Sequence, residues 1–143
     1  MEENNIFEEP LDTDTVKIMK EKDFAKRQET MERSKKAPSQ FLEAWKQGVS
    51  LIGGKFFNQK NPLNTIKDKN ELRPNHEYIH ENIWVMSSGR KTLLALMCSF
   101  YNSSWGGDLM AEVGINGMSD ISAKLDYESL DVVSELLTNY HGW

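Results

Sequence analysis

The stretch from Thr92 to Tyr101 does most to restrict what this chain can become. Leu93, Leu94, Ala95, Leu96, Met97, Cys98 and Phe100 leave it without a polar face. A helix that is apolar all round is stable only when other elements surround it. Leu, Ala and Met favour helix over strand, so the stretch reads as the central helix of a bundle. Its strongly apolar part, Leu93 to Cys98, is far shorter than the ~20 residues a membrane span requires.

The flanking sequence supplies partners for such a helix. Phe41, Leu42, Trp45 and Val49 recur at helical spacing and form one apolar face. Gly48, Gly53 and Gly54 surround Leu51-Ile52, and Phe56-Phe57 follow. This reads as a helix end, a tight turn and a packed aromatic pair. Asn61-Pro62 predicts an N-cap with proline at the first helical position, opening a short helix through Leu63 and Ile66. Asn75 predicts the cap of a helix bearing Ile79, Ile83 and Met86, broken at Ser87-Ser88-Gly89. Asn102 to Gly107 reads as a turn containing Trp105, followed by a short helix from Asp108 to Val113 and a second turn at Asn116-Gly117. Asp126 predicts the cap of the last helix, with Leu130, Val133, Leu137 and Tyr140 on its buried face and Leu136 widening it. Trp45, Trp84, Trp105 and Trp143 are expected mostly in the core, with Trp143 anchoring the terminus to the domain or to a partner. The expected fold class is all-α: a compact orthogonal helical bundle over residues 38–143.

Upstream the composition changes. Residues 1–12 hold Glu2, Glu3, Glu8, Glu9 and Asp12 with no basic residue, which predicts a disordered acidic tail in which Phe7 and Leu11 dock transiently. No secretory signal is expected, because the first residues are acidic and lack an apolar run. Residues 13–37 read as a charged helix capped by Asp14 and ended by Pro38, with Ser39 capping the next helix. From Lys17 to Lys36 there are eight basic and four acidic residues. Val16, Met19, Phe24 and Met31 form a thin apolar stripe that sustains no heptad. A helix this polar is held by side-chain ion pairs or becomes ordered on a partner.

Net charge is −5, from 17 basic and 22 acidic residues. That balance argues against broad nucleic-acid binding by the whole surface. Cys98 is the one cysteine, so no intramolecular disulfide forms, which suits a reducing, cytoplasmic setting. In so apolar a stretch Cys98 reads as a buried, inert thiol, and nothing links it to His141 as a dyad.

One short motif carries potential chemistry. His76-Glu77-Tyr78-Ile79-His80 matches H-E-x-x-H, whose histidines share a helix face. In these five residues the chain resembles the zincin metallopeptidases. The resemblance implies His76 and His80 as zinc ligands and Glu77 as the general base. The context departs from that family: Pro74 places His76 in the first helical turn, and Glu81-Asn82 follow His80. Glu112, Asp108 and His141 remain open as third ligand. From the residues alone, His76 and His80 are polar edges of an amphipathic helix, and Glu77 favours its positive end. Ser87 to Thr92 echoes a phosphate loop but lacks its glycine–lysine spacing. An anion held by Arg90 and Lys91 is the sharper reading, an ordinary turn and cap the plainer one.

Phe100-Tyr101-Asn102, followed by Trp105 and Asp108-Leu109, resembles a segment of a small helical family carried on bacterial plasmids and integrated elements. The resemblance spans about the last third of the chain, with Gly106-Gly107 departing from it. It implies a mobile-element accessory protein rather than a housekeeping enzyme. The functional expectation is a non-enzymatic protein that binds a partner protein through the charged helix. Lys20, Lys22, Lys26, Arg27, Arg33, Lys35 and Lys36 are the expected contact residues, with no cofactor and no membrane involved. The alternatives are a zinc-dependent hydrolase using His76, His80 and Glu77, and nucleic-acid binding by the same basic residues.

Overall fold

A computed structural model describes residues 9, 10 and 12–143. The expected acidic tail falls mostly on residues 1–8 and 11, and those residues, Phe7 and Leu11 among them, lie outside the described part. The described residues form six α-helices and four short 3-10 turns, with no strand among them. This is the all-α fold that the patterning predicts.

Helix α1 runs unbroken from Thr13 to Ile52. Its cap is Asp12 rather than Asp14: the Asp12 carboxylate accepts the Thr15 N–H at 2.6 Å, and that bond holds its pKa below the ordinary value. The expected break at Pro38 does not occur. Proline inside a helix loses one backbone hydrogen bond and crowds the carbonyl four residues back, a cost of about 3 kcal/mol. Beyond Pro38, however, the same helix buries Phe41, Ala44, Trp45, Val49 and Ile52 in the core. Burying one such large side chain contributes roughly 1.5–3 kcal/mol, so several outweigh a single proline. Ser39 does not act as a cap; its hydroxyl donates to the Lys36 carbonyl at 3.0 Å.

The chain divides into two units after Lys35. In the first, none of residues 13–35 is buried. Two ion pairs lie along it, Arg33–Glu29 at 3.2 Å and Lys35–Glu32 at 3.6 Å, both well exposed. Exposed pairs at this spacing contribute only about 0.3–0.5 kcal/mol each. Ile18 belongs with the apolar side chains of this stretch, and it is exposed together with Met19, Phe24 and Met31.

The second unit holds the core. Gly53 leaves α1 at φ 127°, a conformation that suits glycine, and its N–H closes on the Val49 carbonyl. Phe56 and Phe57 are both buried but face different partners: Phe56 meets Tyr78 and Phe57 meets Trp45. A 3-10 turn spans Leu63–Thr65, with Pro62 rather than Asn61 at its cap position. Another spans Lys69–Leu72, closed by the paired side chains of Asp68 and Glu71. Helix α2 covers His76–Asn82 and α3 covers Ser88–Tyr101. As expected, α3 is central: Thr92 to Cys98 are all buried, and the helix packs on α4 (Ser103–Glu112), α5 (Met118–Lys124) and α6 (Tyr127–Asn139).

Local expectations hold in part and are corrected in part. Helix α4 begins at Ser103, capped by Asn102, whose side chain accepts the Trp105 N–H at 2.9 Å; the Gly106-Gly107 pair lies inside the helix. The turn at Asn116-Gly117 leads into α5, where Asp120 accepts both backbone N–H groups. Asp126 does cap α6, and Val133 and Leu136 are buried as expected together with Val132, while Leu137 and Tyr140 are exposed. Among the tryptophans, Trp45 is fully buried and donates to the Leu72 carbonyl, whereas Trp84 is exposed. Trp143 packs on Trp45, Phe41 and Tyr101, so the terminus anchors to the domain.

Candidate functional site

Helix α2 starts where proline chemistry and capping require. Pro74 disfavours helical backbone before it, and the Asn75 side chain accepts the Tyr78 N–H at 3.1 Å. His76 is therefore the first helical residue and His80 lies one turn on, both exposed. Ile79 and Tyr78 turn inward, onto the core and against Phe56. The two imidazole centroids are 4.5 Å apart.

Trp105, from α4, completes this cluster. Its ring stacks on His76 at 4.5 Å, and its indole N–H donates to His80 Nε2 at 3.2 Å. Trp105 was not legible as a partner of His76, because 29 positions separate them and nothing local marks the contact.

A zinc site needs three or four protein ligands. His76 and His80 would supply two. Among the described residues, no group of three or more His, Cys, Asp or Glu side chains could hold a metal ion. Glu77 is exposed beside them, and Asp108, Glu112 and His141 do not complete a set with them. His141 Nε2 lies 3.1 Å from the Lys69 ammonium, and its ring meets the Phe41 edge. Burial lowers the Lys69 pKa, and the Lys69 ammonium also donates to the Gly142 carbonyl and sits over the Trp143 ring. This clamp holds the C-terminal residues in place.

The Ser87–Thr92 segment is a turn and a cap. The Ser87 hydroxyl accepts the Arg90 N–H, and the Arg90 guanidinium donates to the Ile52 carbonyl at the end of α1. Lys91 sits over the Trp84 ring at 6.0 Å. Cys98 is fully buried, and burial pushes its thiol pKa up, which keeps it unreactive.

The expected partner-binding cations all lie on exposed α1. Helical spacing sorts them into two faces. Lys20 and Arg27 share a stripe with Val16, Phe24 and Met31, and Lys35 borders it; Lys22, Lys26, Arg33 and Lys36 fall on another side. Glu29 and Glu32 occupy Arg33 and Lys35. Lys20 and Arg27 thus present charge beside exposed apolar side chains.

The sequence reading missed a second surface altogether. Helices α3, α4, α5 and α6 enclose an open apolar groove of about 550 Å³. Leu96 and Ile121 lie deep in it, and Phe100, Met110, Leu137 and Tyr140 line it further out. Leu130, Leu137 and Tyr140, read as a core face from spacing alone, line this groove instead. A larger depression of about 850 Å³ beside Ser39, Gln40, Glu43, Lys46 and Gln47 is bordered by polar side chains.

No protein-family model matches the chain, and no curated protein or solved structure does either. No helix among the described residues is long and apolar enough to cross a membrane.

Proposed function

We propose that this chain is a small non-enzymatic interaction protein that binds a partner protein through residues 13–37 of α1. The observation that carries the reading is a stripe on which Lys20, Phe24, Arg27 and Met31 are all exposed, with half-buried Val16 at its start. Phe24 is 63% and Met31 53% exposed. Apolar side chains grouped on an exposed helix face are a signature of an interaction surface, and here cations border them. The matching partner surface is an apolar groove with acidic edges. Helix-in-groove binding obtains its affinity from the apolar anchors and its orientation from the charges.

An accessory role on a bacterial mobile element agrees with the resemblance at Phe100-Tyr101-Asn102, Trp105 and Asp108-Leu109. Cytoplasmic placement agrees with the single buried thiol. The test is charge reversal in the full chain, Lys20→Glu with Arg27→Glu. Partner capture should fall at least tenfold while the circular dichroism spectrum stays helical. Full capture by the double variant overturns the reading. If what the wild type captures is nucleic acid, with affinity falling steeply as salt rises, the nucleic-acid alternative replaces it. Zinc hydrolysis by His76, His80 and Glu77 is the weaker reading, since two ligands stand without a third. It calls for about one zinc per chain in untagged protein, a content lost on His80→Ala.

A further inference from the structure

We infer that the apolar groove of one chain receives the exposed α1 stripe of a second copy, so that two chains pair reciprocally. This inference rests on the partner-binding reading of α1 and names the partner. Two of the exposed large apolar side chains, Phe24 and Met31, lie on this stripe of α1. Three more, Met118, Leu137 and Tyr140, line the groove. The lining of the groove is uncharged, but the chain segments that carry the two patches have opposite net charge. Residues 13–37 hold eight basic and five acidic residues, whereas residues 103–143 hold seven acidic residues and one lysine.

The local arrangement repeats this complementarity. On α6, Leu130, Ser134 and Leu137 line the groove, and Asp131 stands exposed next to Leu130 on the same helix. On α1, Lys20 and Arg27 stand beside Phe24 and Met31. Phe24 and Met31 are seven residues apart, about 10 Å along a helix, so they point the same way as successive anchors. Each chain therefore carries both halves of one contact. Reciprocal pairing uses both halves twice and covers Phe24, Met31 and the groove together, which a heterologous partner on one patch would not achieve.

Light scattering on the full-length chain across a concentration series tests this, with Phe24→Glu and Leu137→Asp as variants. Both positions are more than half exposed, so each variant should keep the helical spectrum and melting temperature of the wild type. Met31→Glu and Met118→Asp provide a second pair should either misfold. The wild type should approach the mass of two chains as concentration rises, and less readily in high salt. Each variant alone should stay a single chain. An equimolar mixture of the two should regain the two-chain mass, more weakly than the wild type, because one intact stripe then meets one intact groove. A wild type that remains a single chain at every concentration overturns the inference. It leaves the partner-binding reading standing, since loss of capture in the Lys20→Glu, Arg27→Glu chain is read separately. A dimer broken by Phe24→Glu but not by Leu137→Asp, or the reverse, also overturns it, as does a mixture that never pairs.

Discussion

Gly106 lies where the backbones of α4 and α3 come close together. A Cβ at this position would collide with the backbone of Ser99 and Cys98, which cannot rotate away as a side chain could. Gly106→Ala should therefore force the helices apart and cost about 1–3 kcal/mol, read as a lower midpoint in urea denaturation. The same residue misleads a reading of the sequence. Glycine is a poor helix former, so Gly106-Gly107 signals a turn until the neighbouring backbone is seen. Thr92 gives the opposite prediction. Its side-chain oxygen is buried without a hydrogen-bond partner. Removing an unsatisfied buried hydroxyl while keeping the branched shape should stabilise the fold, so Thr92→Val should raise stability by about 1 kcal/mol in the same assay. A lower midpoint would mean that the hydroxyl has a partner in solution.

Among the elements, α1 and α6 show how local rules succeed and fail. Proline normally stops a helix, and Pro38 does not, because the turns beyond it are buried in the core. Pro38→Ala restores the missing donor and should raise helicity and stability by up to about 3 kcal/mol, measured by thermal melting with circular dichroism. For α6 the cap was legible, since Asp126 stands three residues before the Ser129 N–H that it accepts. That bond lowers the Asp126 pKa, and the N–H groups of Asn116 and Gly117 do the same for Asp120. A carboxyl whose folded pKa is depressed binds its proton more readily in the unfolded chain. Its contribution is complete above the ordinary value of 3.8 and disappears as pH falls through the lower folded value. The melting temperature should therefore drop below that pH. Asp126→Asn, which caps without titrating, should make the drop shallower. An unchanged acid profile in Asp126→Asn would show that the cap contributes nothing to it. The buried face of α6 was legible only in part: Val133 and Leu136 are buried as spacing predicts, whereas the neighbouring helices bury Val132 and leave Leu137 and Tyr140 exposed.

For the molecule as a whole, burial is distributed unevenly. None of residues 13–35 is buried, whereas Thr92 to Cys98 all are. Native-state hydrogen exchange follows burial and local contact density. In dilute protein, amides of residues 13–35 should exchange orders of magnitude faster than those of Leu93 to Cys98. Comparable protection in both would mean that the exposed stretch is covered in solution.

Helix content, the central place of α3 and the caps at Asn75 and Asp126 could be read from residue order, because periodicity and capping act over at most a few positions. The apolar stripe and cations of residues 13–37 were legible for the same reason. The meeting of Trp105 with His76 and His80, the close approach at Gly106, the continuation of α1 through Pro38 and the groove between α3 and α6 were not. Each arises from packing between residues far apart in the chain, where burial outweighs local preference and no neighbouring residue announces the result.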